Sequence, residues 1–409
     1  MERYLSFVIV GHVDHGKSTL IGRLLYDTNS LPEEKIEEVR KTCEMLGKPF
    51  EFAFVMDHLD EEREKNITID TSQIFFKKGN VDYVIIDAPG HKEFIKNMLT
   101  GASQADAAIV IVDANLGMEE QTKRHIYLLN MLGIEQVIVV LNKMDKVGYK
   151  QERFEEVKKE LEKFLENFKI KPSHFIPISA MKGDNVVKKS ENMEWYNGPA
   201  VVDALSTFKN LSGLENNELR FPIQDVYDIN GEKIYVGRIE SGTIKPDMEA
   251  YLMPKGDKTL IKKIKVFGTE LSSAQAGKSI GLVLENNLEG IRGNVICNPK
   301  PNPRNRIKAN IFWMGTDAAK KGEKLLYKST TQEFDCYIDK IERRYNSSTL
   351  EMLEIESGTL EGLEAGEVWI NLEKPIIVDN FNKIPTTGRF VLIREGLVQG
   401  GGIVTHLEE

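Results

Sequence analysis

The stretch Gly11-His12-Val13-Asp14-His15-Gly16-Lys17-Ser18 constrains this chain more than any other. Its spacing, G-x-x-x-x-G-K-S, is that of a loop that wraps phosphate groups, and its flanks supply the context such a loop needs. The apolar run Phe7-Val8-Ile9-Val10 predicts a buried strand before it, and Thr19 to Leu25 predicts a helix after it. The glycines let successive backbone N–H groups curl around phosphate oxygens, and the helix N-terminus adds partial positive charge. Lys17 is placed to neutralise the β- and γ-phosphates of a nucleotide, and Ser18 to ligate Mg²⁺. Gly11 through Thr19 thus form the first part of an expected nucleotide site.

A chain of 409 residues is too long for one ordinary core, and two or three domains are expected. No run of about 18 apolar residues occurs, so no membrane span is expected. The N-terminus enters the first strand directly, without the pattern of a signal peptide. Cys43, Cys297 and Cys336 lie far apart, which suits a reducing cytoplasm better than a disulfide frame or a zinc cluster. A net charge of -9 argues against a large nucleic-acid footprint, although a local basic patch can sit on an acidic protein.

Residues 27 to 66 read as an insert in which Ile36, Val39, Cys43 and Leu46 fall at helical spacing, predicting one amphipathic helix. A charged stretch then gives way to the alternation Ile67-Thr68-Ile69, which leads into a strand through Phe75-Phe76. A threonine beside a nucleotide can ligate Mg²⁺, touch the γ-phosphate and release when that phosphate is lost, which makes Thr68 a candidate. In Val84-Ile85-Ile86-Asp87-Ala88-Pro89-Gly90-His91, a buried strand ends in Asp87, which can hold Mg²⁺ through water. The turn that follows lies at the C-terminal edge of the strand, where ligands bind in parallel α/β sheets. Gly90 can offer its N–H to the γ-phosphate, and His91 can position the attacking water. The catalytic candidates are therefore His91, Lys17 and Thr68, and the metal candidates Ser18, Thr68 and Asp87.

Two further apolar runs, Ala107–Asp113 and Gln136–Leu141, predict buried strands, and the second ends in Asn142-Lys143-Met144-Asp145. A carboxylate at Asp145 can accept two hydrogen bonds from guanine N1 and N2, a donor pair that adenine lacks, so it would select GTP over ATP. Asn142 would brace the loop and the stem of Lys143 would cover the base. A helical pattern over 151–168 precedes the last expected strand, Phe175 to Ala180, where Ser179 and Ala180, with Met181, complete the contacts to guanine. Strands alternate with helices throughout, which predicts a parallel sheet with helices on both faces.

The helical pattern stops near Phe208, and residues 209 to 219 read as a linker. Short strands broken by Gly, Pro and Asn follow, among them Lys233–Glu240 and Lys278–Leu284, and they suggest β-barrels. Asn298–Pro303 is a Pro-rich hinge. From Arg304 to His406 the charge is near balance, with no basic stripe interleaved with aromatics, so this segment gives little support for RNA binding as its main task.

Gly11–Ser18, Ile67-Thr68-Ile69, Asp87–His91, Asn142–Asp145 and Ser179-Ala180, in this order, resemble the translational-type GTPases of the elongation factor Tu superfamily. The resemblance implies an α/β P-loop GTPase domain, a parallel sheet with helices on both faces, followed by two antiparallel β-barrel domains. The expected boundaries are 1–218, 219–301 and 302–409. GTP or GDP and Mg²⁺ are the implied cofactors. The resemblance also implies a monovalent cation (K⁺ or Na⁺) near Asp14, and an apolar gate of Val13 and Ile67 around His91. Asn66 stands where the family usually has Gly; Asn tolerates left-handed backbone angles better than most residues.

Within the superfamily, Gly322–Thr331 lacks the histidine of factors that carry aminoacyl-tRNA. With Trp195–Pro199, Ser347–Glu351, Thr387–Ile393 and Gly400–Val404, it resembles the GTPase subunit of heterodimeric bacterial sulfate adenylyltransferase (ATP sulfurylase). That resemblance implies a regulatory GTPase whose partner, a catalytic ATP-pyrophosphatase-type subunit, makes adenylylsulfate from ATP and sulfate. The alternative is an elongation-factor-like carrier of aminoacyl-tRNA.

Overall fold

A computed structural model of the chain describes residues 3–47, 50–56, 73–79, 81–86, 105–168, 170–208, 214–266, 269–354 and 358–408. The fold divides into two units, Met1–Asn210 and Leu211–Glu409.

The first unit is built on a six-stranded sheet in the order β2-β3-β1-β4-β5-β6. The strands are β1 (Arg3–Val10), β2 (Gln73–Lys78), β3 (Val81–Ile86), β4 (Ala107–Asp113), β5 (Val137–Asn142) and β6 (His174–Pro177). All neighbours run parallel except β2 and β3. Every residue of β4 and β5 is buried, as expected of central strands covered on both faces. The α-helices among the described residues are α1 (Lys17–Asp27), α2 (Glu33–Met45), α3 (Glu120–Met131), α4 (Gln151–Leu165) and α5 (Val201–Leu205). Helix α1 buries Leu20, Ile21, Leu24 and Leu25, a stripe one turn apart. It ends where the Thr28 hydroxyl donates to the Leu24 carbonyl at 2.7 Å. Helix α4 buries Phe154, Val157, Leu161 and Leu165 by the same spacing.

The expected insert helix is α2, but only Val39 and Cys43 of its four apolar positions are fully buried. Leu46 lies past its end and is exposed. The last strand is shorter than its apolar run. Ile178 still donates to the Leu141 carbonyl, but the chain then turns so that Ser179 bridges Asp184.

The position of β1 decides where a ligand can sit. It lies between β3 and β4, with β2 and β3 added on one side and β4, β5 and β6 on the other, so the strand order reverses at β1. The C-terminal end of a strand at such a reversal is the usual ligand position in these sheets.

The second unit holds two closed antiparallel barrels. In the first, β7 (Leu219–Ile229), β8 (Glu232–Arg238), β10 (Glu249–Met253), β11 (Asp257–Val266), β12 (Thr269–Leu271), β14 (Ser279–Leu284) and β15 (Val295–Asn298) form a sheet in the order β10-β15-β7-β8-β14-β11-β12, closed by pairing of β10 with β11, while β9 (Thr243–Ile244) and β13 (Ala274–Gln275) pair separately. In the second, β16 (Arg304–Trp313), β18 (Lys324–Ser329), β19 (Gln332–Asn346), β20 (Met352–Leu353), β22 (Glu364–Ile376), β23 (Arg389–Arg394) and β24 (Leu397–Leu407) follow the order β18-β23-β24-β16-β22-β19-β20, closed by β18 with β19, while β17 (Ala319–Lys320) and β21 (Thr359–Leu360) pair separately. Each barrel has its own apolar core, around Phe221, Tyr235 and Ile261 in one and Trp313, Tyr327 and Ile370 in the other. Met253, Val295 and Cys297 of the first pack with Ile377 of the second. Beside that contact, Arg220 and Asp379 form a buried ion pair. All three cysteines are free and buried, and burial pushes the Cys297 and Cys336 thiols up to about 12.

Candidate functional site

The loop from Gly11 to Gly16 leaves the C-terminal end of β1 and enters α1. Both glycines are demanded by close approach. A Cβ on Gly11 would stand 2.2 Å from the Ile111 carbonyl oxygen, and one on Gly16 would stand 2.4 Å from Asn142 Nδ2. Gly16 caps α1 with φ at 96°, a backbone angle that suits glycine. No side chain caps this helix start and no acid lies in its first turn, so the helix's own side chains leave the partial positive charge there free to meet an anion. Lys17 Nζ donates to the carbonyls of Gly11 and His12, at 2.9 and 3.1 Å, which curls the ammonium back over the loop. His12 Nε2 lies 2.9 Å from the Glu119 carboxylate. The exposed side chain of Ser18 and the half-buried one of Thr19 sit in the first turn.

His15 is fully buried, with Nδ1 facing the Ile111 carbonyl at 3.4 Å. Burial, reinforced by His12, holds its pKa below the ordinary value, so the neutral ring is favoured. His15 is thus a packing element under the loop; its backbone carbonyl faces the next loop.

That loop begins at Asn142, which is 2% exposed and bridges two others. Its Nδ2 donates to the His15 carbonyl and its Oδ1 accepts from the Ala180 N–H, both at 2.9 Å. Lys143 has φ at 63°, and its ammonium reaches Asp113 at 2.8 Å and the Asp14 carbonyl. Asp145 accepts at Oδ1 from the Ser179 hydroxyl at 2.7 Å, which fixes the rotation of the carboxylate. Val13 and Met181 are exposed at the rim. The structure therefore brings together Gly11 through Thr19, Asn142, Lys143, Asp145, Ser179, Ala180 and Met181, at the C-terminal ends of β1, β5 and β6.

Thr68, Asp87, Ala88, Pro89, Gly90 and His91 lie outside the described residues, as do Asn66 and Ile67 of the expected switch and gate.

One member of the cluster was not anticipated. Asp113 ends β4 at 3% exposure, holds Lys143 and accepts from the Asn115 N–H at 2.8 Å. Burial alone would raise its carboxyl, but the hydrogen bonds from Lys143 and Asn115 outweigh it and hold the pKa below the ordinary value. The signal was present in the sequence: an acid closing a wholly apolar strand, at the sheet edge where ligands bind.

The donor set suits a nucleotide with its metal. The loop, the uncapped helix start and Lys17 form an anion cradle. Of the three metal candidates, Ser18 is the one among the described residues, and its hydroxyl can serve as a ligand to Mg²⁺, which takes several of its oxygens from phosphate and water.

Comparison with known proteins decides the family. Residues 2–220 match the family described as Elongation factor Tu GTP binding domain, 233–297 match Elongation factor Tu domain 2, and 306–405 match GTP-eEF1A C-terminal domain-like. The chain belongs to the elongation-factor family of GTPases. It binds GTP and GDP with Mg²⁺ and hydrolyses GTP. Elongation factor 1-alpha of Archaeoglobus fulgidus is 37% identical over 420 residues, covering 99% of this chain and 98% of that protein. The Thermoplasma acidophilum protein of the same name is 38% identical, with 99% and 98% covered. That of Methanocaldococcus jannaschii is also 38% identical, with 99% and 97% covered.

These relatives overturn the expectation of a sulfate adenylyltransferase subunit, and with it the catalytic ATP-pyrophosphatase-type partner. The physical reason lies in the residues that suggested that branch, which serve barrel and domain packing. A Cβ on Gly400 would stand 2.8 Å from the Phe312 carbonyl oxygen, and one on Gly402 2.2 Å from that of Asn310. The Thr387 hydroxyl donates to Asp379 at 2.7 Å, the Ser347 hydroxyl to the Leu363 carbonyl at 2.6 Å, and Ser329 to the Arg389 carbonyl at 2.6 Å. Trp195 donates to the Tyr149 carbonyl at 2.9 Å and packs on Phe154. Such contacts within the chain account for these residues without a partner. Among the described residues no helix is long and apolar enough to cross a membrane.

Proposed function

We propose that this chain is a translation GTPase that carries aminoacyl-tRNA in its GTP state and releases it at the ribosome after hydrolysis. The observation that carries this reading is the relationship to elongation factor 1-alpha across 99% of the chain, nucleotide unit and both barrels alike. A match confined to the nucleotide unit would support GTP binding alone. The net charge of -9 does not oppose the reading, because phosphate contacts need a local set of Lys and Arg, not a basic average.

In this proposal the amides of Gly11–Gly16 and of the first turn of α1 hold the phosphates with Lys17. Ser18, Thr68 and Asp87 hold Mg²⁺, which when bound neutralises charge on the β- and γ-phosphates. Asp145, its rotation fixed by Ser179, accepts from guanine N1 and N2. The stem of Lys143, pinned at its end by Asp113, lies along the base, and Ala180 and Met181 close the pocket. Asn142 keeps the phosphate and guanine loops in one frame. Asp14, whose carbonyl is taken by Lys143, offers its carboxylate to a monovalent cation. His91 orients the attacking water, and Thr68 and Gly90 register the γ-phosphate, so its loss loosens both segments.

The test is protection of the ester bond of phenylalanyl-tRNA against spontaneous hydrolysis. The full-length chain with a non-hydrolysable GTP analogue is expected to slow ester loss strongly, and the GDP-bound chain much less. Equal ester loss with the analogue, with GDP and without protein would refute the proposal.

A further inference from the structure

Helix α1 carries a side chain that the nucleotide site does not use, Arg23, whose guanidinium is clasped at a junction of three segments. Its Nε donates to Asp27 Oδ2 at 2.7 Å, one turn along the same helix. Its Nη1 donates to the Met181 carbonyl at 3.5 Å, in the loop that follows Ser179 and Ala180. Its Cζ lies 4.8 Å from the centroid of the Phe52 ring, in the segment 50–56 that leads, in sequence, towards Thr68. Two glycines make room for the arrangement. A Cβ on Gly183 would stand 2.3 Å from Arg23 Nη2 and 2.6 Å from Cζ, so that stretch of backbone is a bed for the guanidinium. A Cβ on Gly22 would stand 2.1 Å from the Phe52 carbonyl oxygen, so the glycine lets segment 50–56 lie directly on α1. The Arg23 side chain is 20% exposed, whereas an arginine on a helix surface ordinarily samples many rotamers in water.

We infer that Arg23 is a positioning residue that couples the guanine loop to the segment leading to Thr68 and thereby sets the rate of nucleotide release. The inference rests on the nucleotide-site reading proposed above. A planar, permanently charged fork can lie flat on a ring while donating in fixed directions within its own plane, a geometry that the compact, rotating ammonium of a lysine does not reproduce. Helix α1 is anchored at one end by the phosphate loop. Arg23 ties that same helix to Met181 beside Ser179 and Ala180 and to Phe52 in the segment that leads, in sequence, to Thr68. Removing the fork uncouples these two segments from each other while Asn142 and Asp145 keep their own partners.

The experiment is stopped-flow release of N-methylanthraniloyl-GDP, and of the matching non-hydrolysable GTP analogue, from the full-length chain and its Arg23→Ala and Arg23→Lys variants. Arg23→Ala is expected to release the GDP probe about tenfold faster, the size of one lost charge-assisted hydrogen bond. Arg23→Lys keeps charge over Phe52 without the fork and is expected to fall between. The ratio of GDP to GTP-analogue release rates is expected to contract in Arg23→Ala, a change that general loosening of the fold would not produce. Tight binding by the unaltered chain, with both variants releasing within twofold of it, overturns the inference and leaves the site reading intact. No binding of either probe by the unaltered chain overturns the site reading, and the inference with it. Should Arg23→Ala fail to fold, Arg23→Lys decides alone: release faster than the unaltered chain supports the coupling, and unchanged release overturns it.

Discussion

Replacing Asp379 by Asn asks whether the two barrels are held to one another by a buried charge pair. Arg220 opens the first barrel and Asp379 follows β22 of the second, and their side chains are 2% and 7% exposed. The pair is bidentate, Nε to Oδ2 and Nη2 to Oδ1, both at 2.9 Å. The Thr387 hydroxyl donates to Oδ2 at 2.7 Å, and Glu218 accepts from Nη2 at 2.7 Å. An asparagine keeps the shape, but whichever way its amide turns, its NH₂ meets a donor of Arg220. Removing one partner of a buried pair costs about 3–5 kcal/mol. Glu218 and the one remaining oxygen keep part of the compensation, so about 3 kcal/mol is expected. The assay is urea unfolding followed by tryptophan fluorescence in a Trp195→Phe background, which leaves Trp313 and Trp369 of the second barrel as reporters. With a slope of about 2–3 kcal/mol per molar urea, the midpoint should fall by about 1 M or more. A double change, Arg220→Met with Asp379→Leu, should recover much of the loss, since an apolar pair avoids the desolvation of two charges. A midpoint shift in Asp379→Asn below about 0.3 M at unchanged slope would refute the reasoning.

Other outcomes follow from single residues. Gly16→Ala places a Cβ 2.4 Å from Asn142 Nδ2 at a φ of 96°, so GDP affinity by calorimetry should fall at least about tenfold, and retained affinity would contradict the cradle. Asp145→Asn should shift preference from guanosine to xanthosine nucleotides in competition binding; unchanged GTP preference would remove Asp145 from base recognition. His91→Ala should bind GTP normally and hydrolyse it much more slowly in single-turnover assays, and equal turnover would exclude the histidine. The Glu342 carboxyl is held down to about 2, first by the hydrogen bond from Lys308 and then by those from Trp369 and Lys340. A depressed carboxylate contributes stability that is whole above its ordinary value of 4.5 and lost as pH falls through about 2. Trp369 donates to Glu342 at 3.0 Å, so its fluorescence should change with a midpoint near 2 and not in Glu342→Gln; a midpoint at 4.5 would contradict the arrangement.

The described part of the candidate nucleotide site was legible because its chemistry is local. Gly16, Lys17 and Ser18 are neighbours in sequence, and Asn142, Asp145 and Ser179 each sit at the end of an apolar run that reads as a strand. The architecture was legible for the same reason, since periodicity changes from helix-and-strand alternation to short strands near residue 219. Contacts across long sequence separations were not. Asp113 meets Lys143, Arg23 meets Met181, and Arg220 meets Asp379, each pair assembled only by the fold. The branch of the family was misread because Thr387, Gly400 and Gly402 look like signatures but are required by the barrel itself. A residue held by packing answers to the barrel, not to what the protein binds.

The measurement closest to the central proposal is GTP hydrolysis by the full-length chain with codon-programmed ribosomes and matching aminoacyl-tRNA. A translation GTPase should turn over far faster with ribosome and aminoacyl-tRNA together than with either alone, and His91→Ala should lose that acceleration. A rate that is the same with and without them, in a chain that binds GTP tightly, would contradict the assignment to translation.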